Sequence, residues 1–180
     1  KFVLPLQPQT RNKASLINSL IKLYSPIYNT ELKAENVTVT TGANEGILSC
    51  LMGLLNAGDE VIVFEPFFDQ YIPNIELCGG KVVYVPINPP KELDQRNTRG
   101  EEWTIDFEQF EKAITSKTKA VIINTPHNPI GKVFTREELT TLGNICVKHN
   151  VVIISDEVYE HLYFTDSFTR IATLSPEIGQ

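Results

Sequence analysis

Val151-Val152-Ile153-Ile154-Ser155-Asp156-Glu157-Val158-Tyr159 joins a continuous apolar run to an acidic residue. A short run of this kind, without alternation, marks a strand covered on both faces, as strands of parallel sheets are. Outward from it the same pattern recurs. Val61-Ile62-Val63-Phe64, Val82 to Val85 and Ala120 to Ile123 are further apolar strands, and helical patterns separate them. Strands alternating with helices predict an α/β fold in three layers, a mostly parallel sheet with helices on both faces.

The helical stretches have readable ends. Leu16, Leu20 and Leu23 share one face of a helix predicted from Ser15 to Tyr24 and stopped by Pro26. Val37 to Thr40 is predicted as a short strand leading into Gly42. Glu45 to Ala57 is apolar on nearly every side, which predicts a helix buried under the sheet and ended by Gly58. A further helix is predicted from Phe68 to Cys78, stopped by Gly79-Gly80. Asp106 with Gln109, and Thr135 with Glu138, have the spacing of capping boxes that start helices. Asn88 to Glu102, rich in Pro, Asn, Arg and Gly, reads as a surface loop.

Composition bounds the partners. The 180 residues are 42% hydrophobic and 21% charged, enough for one domain with a core. The net charge of −6, with scattered basic residues, provides no footprint for a nucleic-acid backbone. No apolar run approaches the roughly 20 residues that span a bilayer, so no membrane partner is expected. Lys1 to Arg11 is too broken by Pro5 and Pro8 for a secretion signal. Cys50, Cys78 and Cys146 lack metal-ligand spacing and read as buried core thiols, which suits a reducing, cytoplasmic compartment. A chain beginning with Lys leaves a removed mitochondrial transit peptide as the alternative, and no metal site is expected.

In an open parallel sheet ligands collect beyond the carboxyl ends of the strands, so the residues after each strand are the candidates. Thr41-Gly42-Ala43-Asn44-Glu45-Gly46 is a small-residue turn into a helix, where backbone N–H groups and the helix dipole can hold a phosphate. A glycine serving only a tight turn explains it as well. The segment lacks the G-x-G of a dinucleotide fingerprint, and Gly131-Lys132 lacks the spelling of a P-loop. In Glu65-Pro66-Phe67-Phe68-Asp69-Gln70-Tyr71 a ring could stack on a flat heteroaromatic group, or Phe67 and Phe68 could be plain core. Asn124-Thr125-Pro126-His127-Asn128-Pro129-Ile130-Gly131 is a proline-stiffened loop that fixes Asn128. His127 reads as a structural hydrogen-bonding residue in preference to a general base. Asp156, at the end of a buried strand, needs a cationic or hydrogen-bonding partner, such as a protonated pyridine nitrogen, unless it caps the next turn. Tyr159 could reach the same site.

In order along the chain, G-A-N-E-G, E-P-F-F-D-Q-Y, N-T-P-H-N-P-I-G-K and S-D-E-V-Y-E-H resemble the large domain of fold type I pyridoxal-phosphate (PLP) aminotransferases, in the kynurenine aminotransferase and cysteine-conjugate β-lyase branch, of fungal type. The resemblance covers residues 15–180, a partial PLP-binding large domain, while residues 1–14 depart from the family's pattern. It implies that Gly42, Ala43 and Asn44 hold the cofactor phosphate and that Phe68 stacks on the pyridine ring. Asn128 and Tyr159 would donate to the phenolic oxygen, and Asp156 would pair with the pyridinium nitrogen. Asp156 and Tyr159 are then the expected catalytic residues. The implied reaction moves the amino group of kynurenine or a similar aromatic amino acid to a 2-oxo acid in a homodimer. The family's Schiff-base lysine and substrate-carboxylate arginine are expected beyond this chain, with Lys132 and Lys148 as surface groups. A fragment without that lysine would be inactive, and a catalytically silent domain or interaction module is the alternative.

Overall fold

The computed structural model describes residues 14–91 and 98–179. The expectations for residues 1–13, the atypical leader segment included, lie outside the described residues. The chain divides into two compact units between Gly46 and Ile47.

In the first unit α1 (Ala14–Ile27) runs past Pro26, beyond its predicted stop. The proline removes its own donor near the helix end, yet Tyr28 N still donates to Tyr24 O at 2.9 Å and closes the last turn. The predicted strand at residues 37–40 does not form. Val37 is extended (φ −123°, ψ 122°), but residues 37–40 are not part of any strand among the described residues. Gly42, at φ 81°, opens α2 (Gly42–Leu54), which continues into the second unit.

The second unit is built on a sheet of β1 (Glu60–Glu65), β2 (Lys81–Asn88), β3 (Thr104–Ile105), β4 (Thr118–Asn124) and β5 (Val152–Asp156), in the order β3-β2-β1-β4-β5. All pairings are parallel except β2 with β3. Val61, Ile62, Val63 and Phe64 of β1 are at most 2% exposed, each burial contributing roughly 1.5–3 kcal/mol. β4 is buried along its length apart from Lys119. Alternate residues of these strands feed two cores. On one face Ile62, Phe64, Val121 and Ile123 meet Phe110 of α4 (Phe107–Ala113) and Leu139, Leu142 and Cys146 of α5 (Arg136–His149). On the other, Val61, Val63, Ala120 and Ile122 meet Ile47 and Leu51 of α2 and Tyr71 and Ile75 of α3 (Tyr71–Leu77). This is the expected three-layer arrangement. The chain leaves β1 toward β2, then crosses back to β4 on β1's other side, so the winding reverses between β1 and β4. Right-handed crossovers put α3 and α4 on opposite faces for that reason.

Caps behave as their spacing predicts. Thr135 Oγ1 accepts from Glu138 N at 3.2 Å while Glu138 Oε2 accepts from Thr135 N at 2.9 Å, and Asp106 Oδ1 accepts from Gln109 N at 3.0 Å. Three expectations change. α3 begins at Tyr71 instead of Phe68, which brings Pro73 into the first turn, where its missing N–H costs no helical bond. α2 is only partly covered, with Met52 67% exposed on the side away from Ile47 and Leu51. Of the cysteines only Cys146 is buried; Cys78 is half-buried, and Cys50 lies on α2 outside the stripe that meets the sheet. The 3₁₀ turns at 34–36, 100–102 and 171–173 and α6 (Pro176–Gly179) complete the described elements. Among the described residues no helix is long and apolar enough to cross a membrane.

Candidate functional site

The reversal of winding at β1 and β4 opens a crevice at the carboxyl ends of the strands. Asp156 is the last residue of β5 and only 9% exposed. Both its carboxylate oxygens are held: Tyr71 donates its hydroxyl to Oδ2 at 2.6 Å, and Val158 N donates to Oδ1 at 3.2 Å. Capping of the next turn and pairing with a side-chain donor therefore coexist at this residue. The Asp156 carbonyl accepts from Asn124 Nδ2 at 2.9 Å and from Thr125 N at 3.0 Å. Asn124 Oδ1 in turn accepts from Asn128 N at 2.6 Å, so one side chain ties the ends of β4 and β5 to the loop that carries Asn128.

Tyr71 and Asn124 were not singled out in the sequence. Tyr71 is 2% exposed, and its ring packs edge-on against Phe68, with centroids 5.7 Å apart. Burial, reinforced by the Asp156 carboxylate, pushes the Tyr71 hydroxyl well above its ordinary pKa, so it remains a donor. Phe67 stacks instead on Tyr84 at 5.7 Å. Phe68 and Asn128 are half-buried, and Tyr159 is 37% exposed. His127, Asn128, Tyr159, Tyr163 and Phe164 are among the residues lining a cleft of about 520 Å³.

His127 is 5% exposed, and its Nδ1 is buried without a hydrogen-bond partner. Burial first, then the neighbouring charge of Lys132, lower its pKa to about 4, so the ring is neutral near pH 7. Lys132 is not the surface group expected of it. Its side chain is 2% exposed, its Nζ pairs with Glu138 Oε1 at 2.9 Å and lies 5.1 Å from the centroid of Phe134. The fold of the loop explains this: His127 N donates to Lys132 O at 2.8 Å, and Phe134 N donates to Thr125 Oγ1 at 3.2 Å, turning Lys132 inward. Lys148, at 68% exposure, is the surface group expected, paired with Glu111 at 2.7 Å.

The turn after Asp156 is held from its other side. Glu157 Oε1 accepts from Ser155 Oγ at 2.9 Å and from Ile171 N at 3.4 Å. Arg170 pairs with Glu160 and sits 5.2 Å from the ring centroid of Phe168. Burial raises the pKa of Glu157.

In the first unit Ala43 and Asn44 occupy the exposed opening turn of α2. That turn is closed by Thr40 Oγ1 donating to Gly42 O at 2.8 Å and by the Glu45 carboxylate accepting from Thr41 N. Among the described residues no cluster of side chains could hold a metal ion.

The chain is 98% identical over 171 residues to "Probable kynurenine–oxoglutarate transaminase BNA3" of Saccharomyces cerevisiae, covering 95% of this chain and 38% of that protein. The crystal structure of Bna3p from the same organism superposes with a TM-score of 0.92 at 98% identity, over 95% of this chain and 40% of that one. A PLP-bound structure from Clostridium difficile 630 aligns with a TM-score of 0.79 at 27% identity, over 94% and 42% of the respective chains. The chain thus spans about two-fifths of the length of these proteins. Residues 6–179 match aminotransferase class I and II, and the chain belongs to that family.

Proposed function

We propose that residues 15–180 form part of the PLP-binding large domain of an aminotransferase that moves the amino group of kynurenine, or a similar aromatic amino acid, to a 2-oxo acid, and that the intact enzyme is a homodimer. The observation that carries this reading is the buried Asp156 carboxylate at the end of β5, oriented by two donors beside the half-buried face of Phe68. The chemistry of the donor set suits a phosphorylated pyridine ring with a phenolic oxygen: a carboxylate for the ring nitrogen, an aromatic face, and an amide and a phenol as donors. The 98% identity to the protein named "Probable kynurenine–oxoglutarate transaminase BNA3" supports the choice of substrate.

When bound, PLP supplies an electron-withdrawing ring that delocalises the charge left at the substrate α-carbon. Asp156 holds the proton on the ring nitrogen, because an anion in a low-dielectric setting favours the protonated base. Phe68 fixes the plane of the ring by stacking. Asn128 Nδ2 and Tyr159 Oη donate hydrogen bonds to the phenolic oxygen and keep it anionic. Gly42, Ala43 and Asn44 offer backbone N–H groups to the phosphate at the positive end of α2.

The test is a panel of amino donors given to the full-length enzyme that carries this chain, with 2-oxoglutarate as acceptor and PLP added to the apoprotein. Kynurenine and aromatic amino acids are expected to show the highest kcat/KM. A clear preference for aspartate would refute the substrate assignment. Failure of the apoprotein to bind PLP would refute the cofactor assignment.

A further inference from the structure

The Asp156 carboxylate is nearly enclosed, and the donors that hold it are neutral groups. Taking a carboxylate out of water favours the protonated acid unless donors replace the lost hydration. One donor, Val158 N at 3.2 Å from Oδ1, is a backbone group of the following turn. The other is Tyr71 Oη at 2.6 Å from Oδ2, short enough for a charge-assisted bond, and it comes from 85 residues earlier in the chain. We propose that Tyr71 is a positioning residue for Asp156: its hydroxyl holds the buried carboxylate in one orientation, so that a bound ring nitrogen meets a fixed acceptor. This rests on the reading of Asp156 given under Proposed function.

Tyr71 is built for one direction of donation. Its ring is wedged among Val61, Val63, Ile75 and Ile122, edge-on to Phe68, and cannot swing out to water. Loss of its proton would put a second buried anion beside Asp156, and the hydroxyl's raised pKa reflects that penalty. Each Asp156 oxygen accepts one recorded bond, which leaves lone pairs for a further N–H. The other titratable groups nearby do not compete for the carboxylate. Tyr159 stands in the exposed turn, Glu157 is engaged by Ser155, Ile171 and Arg170, and the contact from β4 is the neutral Asn124.

The test uses the full-length enzyme and the variants Tyr71→Phe, Asp156→Ala and the two combined, with PLP binding to the apoprotein followed by fluorescence titration at neutral pH. Phe keeps the ring and its packing, so the thermal midpoint of the apoprotein checks that the fold survives. Tyr71→Phe is expected to weaken PLP binding about 10- to 100-fold at neutral pH, the range of one hydrogen bond to a charged group. In an Asp156→Ala background the same change is expected to cost little further, because the hydroxyl then has no carboxylate to orient. A Tyr71→Phe titration that superimposes on the parent's, or an equal loss with and without Asp156, overturns the proposal in favour of packing alone. If Asp156→Ala binds PLP like the parent, the reading of Asp156 itself is what fails.

Discussion

Asp156→Ala in the full-length enzyme that carries this chain is expected to lower kcat/KM for transamination on the order of 10³-fold, and His127→Ala less than about tenfold. The two side chains are both buried, 9% and 5% exposed, and both stand at the strand ends, so location does not separate them. Charge does. Asp156 is held by two donors as an oriented anion, the one arrangement that responds when positive charge is concentrated on a ring nitrogen. His127 has its pKa lowered to about 4 and presents a neutral ring, so it has no charge to contribute. Its loss should appear as a cavity instead, in the thermal midpoint and not in the rate. Steady-state kinetics with kynurenine and 2-oxoglutarate decide the matter: equal losses at both positions would sink the assignment of Asp156.

What was legible in the sequence follows from how local each cause is. β1 and β4 stand out because both of their faces are covered, which demands an unbroken apolar run. The start of α5 is legible because both halves of its capping box lie within four residues. The start of α3 is less legible, because Phe67 and Phe68 extend the apolar pattern forward while Pro73 sets where the first turn falls. β3 is two residues long, too short for any periodicity, and residues 37–40 have strand-like composition but form no strand among the described residues. Phe68, Asn128 and Asp156 could be nominated because a parallel sheet gathers ligands at its carboxyl ends, a rule of topology that needs no distances. Tyr71 could not, because its partner is 85 residues away and a tyrosine in an aromatic stretch first reads as a ring. The signal that could have found it was Asp156: a buried acid at a strand end requires donors, and Tyr71 opens the helix that follows β1, the next strand but one in the sheet.

Lys132 is the largest departure from expectation, and it predicts the largest loss of stability. Glu138→Gln is expected to destabilise the protein by about 3 kcal/mol, because removing one partner leaves a buried cation uncompensated. The carboxamide keeps an acceptor for Thr135 N, so the helix cap is not the quantity removed. The estimate sits at the low end for such changes because Glu138 is itself 19% exposed and water can reach it. In the double variant Lys132→Met/Glu138→Gln both charges go while the side-chain volume over Phe134 is kept, and most of the loss should be recovered. Acid supplies a second signature. His127 has a folded pKa of about 4 against an ordinary 6.5, so its contribution to stability is intact above pH 6.5 and declines as the pH falls toward 4. The slope approaches about 1.4 kcal/mol per pH unit. Lys132→Met removes the smaller of the two causes of that depression, leaving burial, so the decline should become shallower without disappearing. Urea midpoints at pH 7 and pH 5 measure both effects. A double variant as unstable as Glu138→Gln would show that the ion pair is not what holds the Asn128 loop against α5.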